Sequence, residues 1–131
     1  MAKRLMVVIP CYNEEEVLPE TSKRLIAKMH SLTEKGLITH DSRVLLVDDG
    51  SKDRTWEMIT QLHKENELFE GLKLSRNRGH QNALLAGLMT ARNRCDVSIS
   101  MDADLQDDMD AMDRFLEKNN EGCEIVYGVR N

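Results

Sequence analysis

The sequence predicts an α/β fold, with a mostly parallel sheet and helices on both of its faces. Short apolar runs of strand length alternate along the chain with longer segments whose apolar residues recur at helical spacing. Polar clusters come directly after these runs, as expected where ligands bind at the carboxyl ends of parallel strands. At 131 residues the chain is long enough for one domain with one core.

Composition narrows the class of protein. Hydrophobic residues at 40% and charged residues at 31% are ordinary globular values, and a net charge of -5 argues against a nucleic-acid binder. Cys11, Cys95 and Cys123 lack metal-ligand spacing, so we expect buried, reduced thiols in a cytoplasmic protein. Residues 1–4 lead into too short an apolar run for a secretory signal, and no run could span a bilayer.

The first elements follow from local patterns. Residues 5–9 are a continuous apolar run ended by a proline, which is typical of a buried parallel strand. Residues 14–35 carry apolar side chains at helical spacing, with Pro19 acceptable only near the helix start and Gly36 as the stop. Residues 44–47 predict a second buried strand.

The later elements repeat this alternation. The second helix follows the polar segment DDGSKDRT, in which Ser51 or Asp53 is the expected N-cap. Residues 72–75 predict a weaker third strand and residues 97–101 a fourth. Apolar residues at helical spacing predict a third helix with Ala83, Leu84, Leu88 and Ala91. They predict a fourth helix with Met109, Met112, Phe115 and Leu116. Residues 124–129 predict a last strand.

The strongest chemical signal lies in residues 98–108, where a strand ends in a cluster of carboxylates. Asp102 and Asp104 lie on the same side if the alternation of a strand continues through them. Two carboxylates a few ångströms apart stay ionised together only beside a cation, usually Mg²⁺ or Mn²⁺. The pair therefore predicts a metal site and a bound phosphate. The alternative is an acidic helix N-terminus, since Asp107 and Asp108 open a predicted helix.

Polar clusters after the first two strands suit a nucleotide. Asp48 or Asp49 could hydrogen-bond a base or ribose, with Gly50 permitting the turn, although turn chemistry alone explains the same residues. Tyr12 and Glu14 could stack on and hydrogen-bond a base. The acidic run that begins at Glu14 is equally typical of the first turn of a helix.

Basic residues come later in the chain. Arg76, Arg78, His80 and Gln81 form either a phosphate-binding loop or a solvated turn. Arg130 would suit a diphosphate, although terminal residues are often poorly ordered. No P-loop, dinucleotide-binding or serine-nucleophile motif is present in the sequence.

Five segments together resemble glycosyltransferase family 2, which has the Rossmann-like GT-A fold. VVIPCYNEEE, LLVDDGSKDRT, LSRNRGHQNALLAGL, MDADLQDD and VYGVRN occur in the order and at the spacing of that family. Gln106, directly after the DxD motif, is similar to the branch related to dolichol-phosphate mannose synthase. That branch transfers sugars from nucleotide donors to polyprenyl phosphates.

The resemblance implies a donor site and a reaction. It assigns roles to eight residues: Pro10, Tyr12 and Glu14 in the base pocket, Asp49 bonding the base with Asp48 beside it, Asp102 and Asp104 holding ribose, diphosphate and Mg²⁺ or Mn²⁺, and Arg130 on the diphosphate. The reaction would be an inverting displacement, in which an acceptor oxygen attacks the anomeric carbon of a UDP- or GDP-hexose. Such a reaction needs no covalent enzyme intermediate.

The resemblance also implies that much of the enzyme lies beyond this sequence. In the family, the acceptor pocket, the general base and the membrane-associated helices follow later. We therefore expect the incomplete, donor-binding part of an enzyme that acts at the cytoplasmic face of the membrane on a polyprenyl phosphate. Family members insert an antiparallel strand between the fourth and fifth. Without it, the last strand lacks its usual neighbour, and the exposed edge invites a homodimer or strand exchange.

Two other functions compete with full catalysis. The first is a nucleotide-sugar-binding module without turnover, which we favour for these residues alone. The second is a phospho-receiver domain, because it has a similar length, alternating elements and an acidic pair after an apolar strand. In a receiver domain the acidic pair follows the first strand, whereas in this sequence the pair in LLVDDGS follows the second strand. The sequence also lacks a late strand that ends in lysine.

Overall fold

The computed structural model describes residues 2–75, 79–92, 94–101, 103, 116 and 124–126, with the backbone alone at His80 and at 124–126. Its strands are β1 (Leu5–Cys11), β2 (Arg43–Asp48), β3 (Phe69–Lys73), β4 (Val97–Ser100) and β5 (Glu124–Val126). Its helices are α1 (Leu18–Glu34), α2 (Thr55–Glu65) and α3 (His80–Ala91). The strands form one parallel sheet in the order β3-β2-β1-β4-β5, which confirms the predicted fold class.

Helices cover both faces of this sheet, and β1 lies at its centre. Alternate residues of β1 enter two cores: Val7 and its neighbours on that face pack with α1 and α2, and Val8 and its neighbours pack with α3. The chain leaves β3 through α3 and returns on the other side of β1, where it forms β4. The carboxyl ends of β1 and β4 therefore flank the topological switch point, where open parallel sheets bind ligands.

The first strand is longer than predicted, because it continues through Pro10 to Cys11. Proline has no backbone N–H and is confined to places where a strand lacks a partner on one side. Here β4 accompanies β1 only as far as Val8, whereas β2 continues beside it to Cys11. Among the described strands, β2 alone therefore pairs with β1 at Pro10.

Other boundaries also differ from the predictions. Helix α1 begins at Leu18 rather than at 14, with Pro19 in its first turn as expected. Strand β3 begins at the fully buried Phe69, earlier than the predicted 72–75. The N-cap of α2 is Arg54 and makes no side-chain capping bond, so the expectation of Ser51 or Asp53 was wrong. Both of those side chains bind the loop after β1, and the Asp53 carboxylate also accepts the N–H of Thr55, the first residue of α2.

The last strand lies at the far side of the sheet. Strand β5 pairs directly with β4, in parallel, from Val97 opposite Glu124 to Ile99 opposite Val126. The last strand therefore has a neighbour, and the described sheet ends at β3 and β5. The predicted fourth helix lies outside the described residues apart from Leu116, which is helical and buried. In the described part of the chain, no helix is long and apolar enough to cross a membrane.

Candidate functional site

The loops that follow β1 and β2 are joined by reciprocal hydrogen bonds. The Asn13 N–H donates to Ser51 Oγ at 2.9 Å, and the Lys52 N–H donates to Asn13 Oδ1 at 2.9 Å. Asn13 adopts a left-handed conformation with φ 53, which asparagine tolerates better than most residues. The left-handed residue is thus the one whose N–H and side chain both bind the loop after β2.

Thr55, at the start of α2, binds the loop that follows β1. Its fully buried hydroxyl accepts the Glu14 N–H at 2.8 Å and donates to Asp53 Oδ1. Asp53 Oδ2 accepts the Glu15 N–H at 3.3 Å. The segment that carries Tyr12 and Glu14 is therefore fixed against the segment that follows β2, before any ligand binds.

The Asp53 carboxylate is the charged member of this connection. Burial raises its pKa, but hydrogen bonds from the hydroxyl and N–H of Thr55 and from the Glu15 N–H outweigh that effect, and the net pKa is lowered. Asp53 therefore stays ionised at neutral pH. The ionised carboxylate can only accept hydrogen bonds, and it accepts them from the loop after β1 and from Thr55 in α2.

Asp48 and Asp49 lie at the carboxyl end of β2, and both are buried. Asp48 Oδ1 accepts the Ser51 N–H at 3.2 Å, and Gly50 turns the chain with φ 72, so turn chemistry does account for part of DDGS. Asp48 Oδ2 is buried and has no hydrogen-bond partner among the described residues. The Asp49 N–H donates to the Cys11 carbonyl at 2.8 Å. A buried acceptor without a donor is unfavourable, so a ligand N–H or O–H there would be stabilising.

The end of β1 contributes both an aromatic and an acidic side chain. Tyr12 is 40% exposed, so its ring is accessible for stacking, while Glu14 is half-buried and Pro10 is buried. Burial raises the pKa of the Cys11 thiol, and the Glu14 and Asp48 carboxylates raise it further. Cys11 is therefore a protonated, buried thiol, as predicted, and its environment is acidic.

The segment after β4 closes the switch point. The Met101 N–H donates to the Val8 carbonyl at 3.0 Å, and the side chains of Met101 and Ala103 are buried. The Ala103 carbonyl accepts the hydroxyl of Thr21, in α1, at 2.5 Å. These contacts bring the end of β4 beside the end of β1.

Several predicted site residues lie outside the described part of the chain: Asp102, Asp104, Asp107, Asp108, Arg76, Arg78 and Arg130. The side chain of His80 is not described either, and Gln81 is exposed on α3. Within the described residues, no group of three or more His, Cys, Asp or Glu side chains could hold a metal ion. Pro10, Tyr12, Glu14, Asp48 and Asp49 do lie together at the ends of β1 and β2.

Sequence reasoning missed the residues that hold the site together. Asn13 and Thr55 had no assigned role, and Ser51 and Asp53 were considered only as helix caps. An asparagine directly before an acidic run is a weak signal for a left-handed turn. Thr21 carries no local signal, because its partner lies 82 residues away in the sequence.

Comparisons with known proteins identify relatives of this chain. The family model described as "Glycosyl transferase family 2" matches residues 6–131. An uncharacterised glycosyltransferase of Bacillus subtilis (strain 168), YkoT, is 56% identical over 126 residues, which is 96% of this chain and 37% of that protein.

Two solved structures share the fold. The mannosyltransferase PcManGT of Pyrobaculum calidifontis, in complex with GDP-mannose and Mn²⁺, has a TM-score of 0.67 and 21% identity, covering 86% of this chain and 31% of that one. TarS 1-349 of S. aureus has a TM-score of 0.62 and 22% identity, covering 77% and 27%. The chain thus spans roughly a third of the length of the relatives it matches.

Proposed function

Because this chain belongs to glycosyl transferase family 2, we propose that it binds the donor of a sugar transfer, a UDP- or GDP-hexose, together with Mg²⁺ or Mn²⁺. One observation carries the proposal. The loops after β1 and β2 are hydrogen-bonded into one preorganised wall beside the switch point between β1 and β4. Preorganised groups bind a ligand without an ordering cost, so this wall suits a small, specific ligand.

The base would lie against the ends of β1 and β2. The Tyr12 ring offers a face for stacking, and Glu14 and Asp49 offer acceptors for N–H groups of the base. Asp48 Oδ2 is one more buried acceptor at this edge. Pro10, which is buried within β1, would contribute to the floor of the base pocket. Uracil and guanine both present N–H donors, so these acceptors suit UDP or GDP.

Asp102 and Asp104 would hold the divalent ion, and Arg130 would contact the diphosphate. Carboxylate oxygens are the donors that Mg²⁺ and Mn²⁺ prefer. The position of the segment also suits such an ion, because two hydrogen bonds hold the segment at the switch point. The Met101 N–H donates to a carbonyl of β1, and the Ala103 carbonyl accepts a hydroxyl of α1. When bound, the ion would stabilise the negative charge of the diphosphate.

The activity of the longer protein is proposed on the same basis. We propose an inverting transfer of a hexose to a polyprenyl phosphate at the cytoplasmic face of the membrane, in a branch like that of dolichol-phosphate mannose synthase. The motif DADLQD supports this branch. The general base would lie outside the present residues, so this chain alone would bind the donor without turning it over. A homodimer through the sheet edge stays a prediction.

Isothermal titration calorimetry with UDP and GDP, each with Mn²⁺ and with EDTA, tests the proposal. We expect one of the two nucleotides to bind, and Mn²⁺ to strengthen that binding by about tenfold or more. Binding of beryllofluoride without any nucleotide binding would contradict the proposal and favour a receiver domain. Transfer of sugar to a polyprenyl phosphate by this chain would contradict only the expected lack of turnover.

A further inference from the structure

One threonine hydroxyl in the interior of α1 bonds outside its own helix, as the hydroxyl of Thr55 does at the start of α2. Thr33, Thr60 and Thr90 each donate to the carbonyl four residues earlier in their own helix, at 2.8–2.9 Å. That local bond is the usual choice for a threonine within a helix. Thr21 instead donates its hydroxyl to Ala103, 82 residues away, at 2.5 Å.

The contact is buried and specific. Thr21 is 3% exposed and Ala103 is 2% exposed, so water does not compete for this hydrogen bond. The backbone of Thr21 is already satisfied within α1, because its N–H donates to the Val17 carbonyl at 2.9 Å. The hydroxyl therefore contributes nothing to the hydrogen bonding of α1 itself, and its effect falls on the segment after β4.

The acceptor of this bond belongs to the peptide unit that joins Ala103 to Asp104. A peptide unit is planar, so a hydrogen bond that holds its carbonyl restrains the whole unit. We infer that Thr21 is a positioning residue for the donor site, whose hydroxyl orients the peptide unit between the two aspartates of the DxD motif. The inference rests on the proposed function, because it assumes that these aspartates bind the metal and the nucleotide.

A positioning role predicts a particular defect. Loss of the hydroxyl would leave the base pocket intact, because Tyr12, Glu14 and Asp49 are held by the loops after β1 and β2. It would loosen only the carboxylates that hold the ion. The metal-dependent gain in nucleotide affinity should therefore fall, while affinity without metal should not change.

Thr21→Val is the direct test, since valine keeps the branched shape but lacks the hydroxyl. For UDP and GDP, the ratio of the dissociation constant with EDTA to that with saturating Mn²⁺ is measured by calorimetry. We expect Thr21→Val to lower this ratio by about fivefold to tenfold, a typical effect of one buried hydrogen bond. The dissociation constant in EDTA should stay within about twofold of the wild type.

Two further variants serve as controls. Thr33→Val makes the same change in the same helix, at a hydroxyl bonded only within α1, and should keep the wild-type ratio. Thr21→Ser restores the hydroxyl and should also keep it. If Thr21→Val does not fold, Thr21→Ser and Thr21→Ala replace it, because these two differ from one another only by the hydroxyl.

The outcomes separate this inference from the proposed function. A wild-type ratio in Thr21→Val, or equal ratios in the serine and alanine variants, overturns the positioning role and leaves the proposed function intact. A wild-type chain whose nucleotide binding does not respond to Mn²⁺ overturns both. A reduced ratio in Thr21→Val with normal ratios in Thr33→Val and Thr21→Ser supports the positioning role.

Discussion

Asp104→Ala is expected to abolish the Mn²⁺-dependent gain in affinity for a nucleoside diphosphate, a loss of about tenfold or more. Loss of a residue that only orients a metal ligand typically weakens metal binding tenfold to a hundredfold, so loss of a ligand should exceed this range. Binding in EDTA should not weaken, because the variant removes a negative charge that would repel the diphosphate. Calorimetry with and without Mn²⁺ measures both effects.

Asp41→Ala is the matched control for this variant. Asp41 lies in the loop before β2, at the opposite end of the sheet, and its side chain is 57% exposed beside Arg4. Exposed ion pairs contribute little to stability, so this variant should fold and bind as the wild type does. If Asp104→Ala bound the nucleotide and Mn²⁺ as tightly as Asp41→Ala does, the proposed metal site would be wrong.

Gly87→Ala is expected to destabilise the fold by about 1–2 kcal/mol, although alanine is the better helix former. A Cβ at Gly87 would lie 2.5 Å from Val8 Cγ1 and 2.8 Å from Val47 Cγ2. Both valines are fully buried in adjacent strands of the sheet, so they have little room to move. The overpacking should therefore outweigh the gain in helix propensity. Urea denaturation should give a lower midpoint, and the Tm should fall by roughly 5 °C.

Leu85→Ala is the control on the same helix. Leu85 is 55% exposed, so its truncation removes little buried surface and should change stability by less than about 0.5 kcal/mol. An unchanged or raised midpoint for Gly87→Ala would mean that α3 does not approach β1 and β2 as closely as these distances indicate.

The order of the elements was predictable because it depends on local patterns. Continuous apolar runs identified the buried parallel strands, and alternating strands and helices identified the sheet architecture. The boundaries were less predictable because they depend on neighbours. Pro10 remains in β1 because β4 has already ended beside it, and Phe69 opens β3 because it enters the core under α2.

The candidate site was predictable in its composition but not in its construction. Because each of these polar clusters directly follows a predicted parallel strand, the sequence was enough to place Tyr12, Glu14, Asp48 and Asp49 at one edge of the sheet. The bonds from Asn13 to Ser51 and from Glu14 to Thr55 join residues 38 and 41 positions apart, and no local pattern encodes such pairs. The left-handed turn at Asn13 depends on those same partners.

We propose that donor nucleotide and metal bind at the carboxyl ends of β1, β2 and β4. Paramagnetic broadening of backbone amide signals by Mn²⁺, with UDP or GDP bound, tests it most directly, since the broadening falls steeply with distance from the ion. We expect the amides of Met101, Ala103 and Asn13 to lose intensity first, and those of Ile38 and Leu68, at the other end of the sheet, to lose it last. Broadening that begins at Ile38 and Leu68, or that spreads evenly over the chain, would contradict the claim.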